Sequence, residues 1–342
     1  MNKCKLCNQA DADKKGSHIV PHFLLKRVEN IEGETDRDKE LGFTLGEFDT
    51  KSHFGRAVSP GKLEETYGEV TDELIENNTN SMIVDNFFCS TCEKKFAAIE
   101  SEYAKTLLKK DSSTYESGVS SSLGLLFWAG VLWRVSINNK SGVKLEEKKE
   151  EILRSVIDKY QQIKIEDIDF EALSDDDIAK RLSYKLIRCI EDTSKKSKWL
   201  FFHPKFDNPL CILIAEYCIG FSFDEEYQDL EEKNLLEINK TMLNAPVNKA
   251  GANELIEPFD IEQFDKTTDA IIETILEVRM ASLDEFFNLL IAGFAQYGIR
   301  LPETIKQEIF QELISESKEL GIRFTIDDIR NSTLKILNKY AP

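Results

Sequence analysis

At 342 residues, with 41% hydrophobic and 31% charged positions, the chain has the make-up of a globular protein with room for two domains. Its net charge of −18 excludes a uniformly basic surface of the kind that coats nucleic acid. The apolar stretch 123–135 (LGLLFWAGVLWRV) is too short for a bilayer and contains Arg134, so a buried helix is expected and a membrane association is not.

The chain opens MNKCKLCNQ, and a C-x2-C pair at Cys4 and Cys7 stands next to no apolar signal segment. A polar, turn-rich loop leads to SHIVPHF (17–23). Ile19 and Val20 favour a strand that Pro21 ends, and HFLLKRVEN reads as a helix from His22. Residues 29–80 are weakly periodic and form a long insertion of short strands or extended loops. MIVDNFF (82–88) then delivers a second C-x2-C pair, Cys89 and Cys92, into a helix. Along that helix Phe96, Ile99, Tyr103 and Leu107 recur at i, i+3, i+7 and i+11, one apolar stripe.

After a break at 111–122, where Ser120, Ser121 or Ser122 can cap the apolar helix, residues 145–161 form an amphipathic helix. DIDFEALS and DDDIAKRLSYKLIRCIED read as further short helices. WLFF and CILIAEYCIGFSF are the clear strand candidates of this half, the latter equally readable as a buried helix plus a strand. Residues 224–268 are acidic and irregular, and the tail is helical. The expected fold class is α+β: a zinc-bound N-terminal domain over 1–110 with an insertion at about 29–80, then a mainly helical accessory or partner-binding domain over 120–342, for which 224–268 is the place of any further division.

Two C-x2-C pairs are the spacing of knuckle turns that aim four thiolates at one tetrahedral Zn²⁺. Such a zinc is structural, since four sulfurs leave no open position. The other cysteines, Cys189, Cys211 and Cys218, lack motif spacing and read as small buried hydrophobes, and this usage fits a reducing, cytoplasmic compartment.

Three of the four histidines, His18, His22 and His53, lie in the N-terminal third. Phosphodiester hydrolysis needs a general base near neutrality and a divalent cation, Mg²⁺ or Mn²⁺, to stabilise the charge on phosphate. His18, between a strand and a proline, is the candidate base. Glu93, at the start of the second helix, is the candidate oxygen ligand, with an ordinary first-turn Glu as the alternative. His22 is either a further ligand or simply the first helical residue. His53 and Arg56 are candidates for phosphate contact, or else belong to a solvated loop. Lys94 and Lys95 are candidates for a local basic patch. Asn86 is placed to fasten a hairpin with its side chain. Residues 1–110 carry 16 Lys/Arg against 20 Asp/Glu and the remainder 28 against 42, so any grip on nucleic acid must come from a local patch or from a partner.

CKLC, SHIVPHF and FCSTCEKKF together resemble the zinc-braced branch of the HNH (ββα-metal) endonuclease superfamily over about residues 1–105. The resemblance implies a metal-dependent endonuclease acting on DNA or RNA, with His18 as base and Glu93 as the helix-borne Mg²⁺ or Mn²⁺ ligand. It further implies Asn86 (or Asn80) as the hairpin asparagine and Cys4, Cys7, Cys89 and Cys92 as zinc ligands. Two positions depart from the family pattern: Ser17 stands where an acidic residue precedes the base, and Glu93 where the helix usually offers His or Asn. HNH-like modules joined to helical regions resemble effectors of bacterial and phage-conflict defence, which work with a protein partner or as oligomers. The alternative is a catalytically degenerate zinc-scaffolded module that binds nucleic acid or protein.

Overall fold

A computed structural model describes residues 2–28, 41–45, 50–55, 58–67, 70, 72, 75, 78, 82–138, 141, 143–192, 198–201, 209–227, 236–296, 302, 304–316 and 326–340. The chain forms two compact units, one of Met1–Leu41 with Phe54–Ile271, the other of Gly42–His53 with Ile272–Pro342; neither boundary falls at 110–120. The architecture is α+β, and no helix among the described residues is long and apolar enough to cross a membrane.

The first unit opens with a two-stranded antiparallel pair. β1 (Ser17–His18) lies against β4 (Ile83–Val84), with Ser17 opposite Val84 and His18 opposite Ile83. Between them in the chain come α1 (His22–Leu25), the paired strands β2 (Leu41–Leu45) and β3 (Thr50–Phe54), nearly all of which belong to the second unit, and α2 (Pro60–Tyr67). α3 (Ser90–Tyr103) follows β4 directly, so the order around the cysteines is strand, strand, helix. The expected apolar stripe holds: Phe96, Ile99 and Tyr103 are buried and Leu107 packs on the core from a short 3-10 segment, Ala104–Leu108.

β5 (Tyr115–Ser120) runs into α4 (Ser121–Ile137), and of the three serines it is Ser120 that caps the helix, its hydroxyl accepting from the Leu123 N–H at 3.2 Å. α4 is apolar all round, and every residue from Ser121 to Ser136 is buried. A helix without a polar face must be enclosed on all sides, and this one is packed by α3, β5, β11 (Asn253–Phe259), α5 (Glu147–Tyr160) and α6 (Phe170–Asp175). The Tyr103 and Phe127 rings stack at 3.9 Å, which joins the helix after the second cysteine pair to the central helix in one core.

Residues 115–259 contain much more strand than expected. Among the described residues a seven-stranded sheet has the order β5-β11-β6-β9-β8-β7, with β10 also pairing β6. Its other members are β6 (Ser183–Cys189), β7 (Lys198–Phe201), β8 (Leu210–Ala215), β9 (Tyr217–Ser222), β10 (Val247–Asn248) and β11 (Asn253–Phe259). SYKLIRC, read above as helical, is the central strand β6, and all seven of its residues are buried. A strand covered on both faces carries no alternation to distinguish it from a buried helix. CILIAEYCIGFSF becomes the β8–β9 hairpin, turning at Ala215 (φ 54) and Glu216. The stretch 224–268 contains α7 (Leu236–Asn244), β10, β11 and the start of α8 (Ile261–Gln296).

The core of this unit encloses one polar cluster. Glu254 is fully buried and accepts from Tyr184 Oη at 2.6 Å and from Tyr103 Oη at 3.1 Å, while Trp128 Nε1 donates to Tyr103 Oη at 2.8 Å. Gly124 lies against this group; a Cβ there would overlap the Glu254 carboxylate and the Tyr184 hydroxyl. The helical tail is α8 (Ile261–Gln296), α9 (Ile305–Glu316) and α10 (Ile326–Leu337). In the second unit Leu283, Phe287, Ile305, Ile309, Leu313, Ile329 and Ile336 form a separate core.

Candidate metal centre and the surroundings of His18

The first cysteine pair sits on a tight hairpin. The Cys4 N–H donates to Ala10 O at 2.8 Å, Ala12 N–H to Asn2 O at 2.9 Å, and Asn8 N–H closes the turn on Cys4 O at 2.9 Å. Asn8 has φ 55, the left-handed conformation that Asn tolerates better than most residues. The second pair approaches along residues 85–89. There Lys5 N–H donates to Phe87 O at 2.8 Å, Lys14 N–H to Phe88 O at 3.1 Å, and Asn86 N–H to Lys14 O at 2.6 Å. Backbone hydrogen bonds therefore join the two knuckles to each other.

The four sulfurs lie within 4.8 Å of one another. Cys4, Cys89 and Cys92 are buried, Cys7 is half-buried, and none is in a disulfide. Tetrahedral Zn–S bonds of about 2.3 Å put sulfurs about 3.8 Å apart, a spacing compatible with that limit. The donor chemistry also fits. The Cys92 thiol and the backbone N–H groups of Cys7, Cys89 and Leu6 lower the Cys4 pKa to about 4, whereas Cys92, donating to Cys4, is pushed far upward. Four thiols this close cannot all ionise unless a cation offsets their mutual repulsion, and Zn²⁺ does so. Cys4, Cys7, Cys89 and Cys92 thus form a candidate structural zinc site. Among the described residues it is the single group of three or more His, Cys, Asp or Glu donors close enough to hold an ion.

The site is fastened to the helical core behind it. Arg154 on α5 donates from Nη1 to Leu6 O at 2.8 Å. Lys5 lies 3.9 Å from the Phe87 ring centroid, with Nζ 3.4 Å from Ile137 O at the end of α4. Cys89 is the N-cap residue of α3 but supplies no side-chain cap; Asp13 does so from the opposite loop, its Oδ1 accepting from Ser90 N–H at 3.1 Å. This capping role was not legible, because Asp13 is 77 residues away from the helix it caps.

His18 leaves β1 half-exposed, and its ring centroid is 5.3 Å from that of His22, the exposed first residue of α1. Its backbone is held on two sides. Ile19 N–H donates to Met82 O at 2.9 Å, and Arg134 Nη1 on α4 donates to His18 O at 3.0 Å. Arg134 is buried, pairs through Nη2 with Glu100 of α3 at 2.7 Å, and lies over the Phe96 ring at 4.6 Å. Burial raises the Glu100 pKa, Arg134 opposes that rise, and Glu93, two turns earlier on α3, adds to it. Glu93 and Glu100 therefore share one face of α3, the face from which Arg134 reaches the strand of His18. Neither Arg134 nor Glu100 was singled out as a site residue; an arginine within an otherwise apolar helix was the available signal.

Other candidates take different places. Ser17 is buried, and its Oγ has no hydrogen-bond partner among the described residues. Asn86 is exposed with φ 57 and contributes a left-handed turn. The side chain that fastens the hairpin is instead that of Asp85, whose Oδ1 accepts from Gly16 N–H at 2.7 Å. Lys94 is exposed, whereas Lys95 Nζ reaches Asp158 O on α5 at 3.5 Å. His53 is only 3% exposed, not in a solvated loop, and burial lowers its pKa to about 4, so its imidazole is neutral at pH 7. Arg56 and Asn80 lie outside the described residues.

Comparison with protein-family models, with curated proteins and with solved structures finds no match.

Proposed function

We propose that the chain is a zinc-braced nucleic-acid-directed module in which His18 is the general base of a metal-dependent phosphodiester hydrolysis, on DNA or RNA. The observation that carries this reading is the combination of β1–β4–α3 order with four converging cysteines, the arrangement implied by the resemblance to HNH endonucleases. In it His18 accepts a proton from the attacking water, which a side chain fixed by its backbone and partly open to solvent is suited to do. His22 lies next to it as the second imidazole of the pair. Mg²⁺ or Mn²⁺, when bound, would stabilise charge developing on the phosphate. His18 and Glu93 are the residues expected to hold it, with His22 as a further ligand. The resemblance supports Asn86 as the hairpin asparagine and a role as a defence effector with a protein partner, and the exposure of Lys94 supports a basic contact there.

One observation favours the second reading, a non-cutting binding module. His18, His22 and Glu93 do not form a three-donor group in the way the cysteines do, and Ser17 brings no carboxylate to the strand. The two readings separate in one assay. The zinc-loaded chain is incubated with plasmid and with single-stranded DNA and RNA, with and without Mg²⁺ or Mn²⁺. Cutting that requires the cation and drops in Glu93→Gln supports hydrolysis. Nucleic-acid binding without cutting under every cation supports the scaffold.

A further inference from the structure

The chain is acidic overall, so contact with a polyanion needs a local surplus of positive charge, and one is built where four distant segments meet. Glu216, in the turn of the β8–β9 hairpin, is fully buried. Its Oε1 accepts from Arg188 Nε at 2.6 Å, and Arg188, on β6, is itself fully buried. The remaining Arg188 donors are used as well: Nη1 reaches Thr106 O at 3.0 Å, Lys109 O and Tyr115 Oη, and Nη2 reaches Leu107 O at 2.7 Å. With its donors engaged, Arg188 binds nothing further. It neutralises Glu216 and clamps the backbone of residues 106–109.

Two more cations converge on a carboxylate that is already paired. Arg27, just beyond α1, turns Nε (3.1 Å) and Nη2 to Glu216 Oε2, and Lys110 Nζ lies 3.9 Å from the same oxygen. Their side chains are 35% and 32% exposed. Among the described residues, three cations, Arg27, Lys110 and Arg188, pair with the one Glu216 carboxylate. Glu191 offers Lys110 only its backbone O, at 3.3 Å, while its carboxylate accepts from Ile261 N–H at 3.3 Å. Each cation also has an exposed lysine next to it in the chain, Lys26 beside Arg27 and Lys109 beside Lys110. Two basic dipeptides 83 residues apart (27 to 110) are thereby brought to one place and held on a buried ion pair.

We propose that Arg27 and Lys110, seated on the Arg188–Glu216 pair, form a binding site for a backbone phosphate of nucleic acid. Guanidinium and ammonium groups fixed in advance and partly exposed are suited to a phosphate oxygen, and the surplus charge is the part that Glu216 leaves uncompensated. Arg27 lies two residues beyond α1, the short helix that His22 opens, so this site and the proposed reaction centre draw on one segment of the chain. The proposal rests on the reading of the chain as nucleic-acid-directed and adds where the strand is gripped.

The test is fluorescence anisotropy of the zinc-loaded full chain with a labelled duplex and a labelled single strand of about 20 nucleotides at 50–200 mM salt. Lys110→Ala and Arg27→Ala should each lower affinity roughly eightfold at 0.1 M salt and reduce the slope of log K against log salt by about 0.9 on duplex or 0.7 on single strand. Arg27→Lys should restore most of the loss. If the wild type binds and the double variant keeps the same slope and affinity, this site is overturned and the nucleic-acid reading stands. If the wild type binds neither oligonucleotide, both fall. Should Arg27→Ala lower the melting temperature, Lys110→Ala alone decides, because its loose ion pair contributes little to the fold.

Discussion

Arg134, on the buried central helix, donates to the backbone carbonyl of His18 at 3.0 Å and with its other terminal nitrogen pairs with Glu100 at 2.7 Å. One side chain thus ties the strand of the candidate base to the helix of the second cysteine pair. Truncating it as Arg134→Leu leaves the half-buried Glu100 without its cation and His18 O without its donor, which costs about 1–3 kcal/mol. Glu100→Gln in that background should recover part of the loss. Urea unfolding of the wild type, both single variants and the double variant measures the coupling. Additivity within about 0.5 kcal/mol would show that the pair is not coupled.

The zinc assignment predicts one tightly held Zn²⁺ per chain and none in Cys89→Ser. Zinc joins residue 4 to residue 92 across a long insertion, where closing the loop removes substantial chain entropy. With the metal-binding energy gone, the melting temperature should fall by roughly 10 °C or more. Elemental analysis together with thermal melting checks this, and a Cys89→Ser protein that melts like the wild type would refute a structural metal.

Burial raises the Glu254 carboxyl pKa to about 7, against the hydrogen bonds from Tyr184, Ser117 and Tyr103 that lower it. The native state therefore holds this proton more tightly than the unfolded chain, whose value is near 4.5. The contribution to stability is complete below the unfolded pKa and is lost as pH rises from 4.5 through about 7, up to about 3 kcal/mol in all. Urea unfolding at pH 5 and pH 8 should show the wild type losing more stability than Glu254→Gln over that interval. Equal losses would mean that Glu254 titrates normally.

Gly124 is the residue that makes room for the same cluster. Gly124→Ala places a methyl group on the Glu254 carboxylate and the Tyr184 hydroxyl, and overpacking combined with broken buried hydrogen bonds should cost about 3 kcal/mol or more. A variant within 1 kcal/mol of the wild type, on the same approximate scale, would show that the cluster yields without penalty.

The local features were the legible ones. The four cysteines, the helix stripe through Phe96, Ile99 and Tyr103, and the buried character of 123–135 each follow from spacing within a short window. The sheet was not legible in the same way. β6 is buried on both faces, so SYKLIRC carries no alternation, and β11 pairs parallel with it from 70 residues downstream (187 to 257). Asp13, Asp85, Arg134 and Glu216 act on partners distant in sequence, and no periodicity reports such pairings. His53 shows the opposite failure. SHFGR leaves His53 open between phosphate contact and a solvated loop, while its actual burial depends on tertiary packing.

Cleavage by His18→Ala is the most direct test of the account. Wild type and variant, each with one bound zinc and equal melting temperatures, are compared on plasmid and single-stranded substrates with Mg²⁺ or Mn²⁺. The account predicts that the wild type cuts and that His18→Ala cuts about 10²–10⁴-fold more slowly. Equal rates in the two proteins, or no cutting by the wild type on any of these substrates, would contradict it.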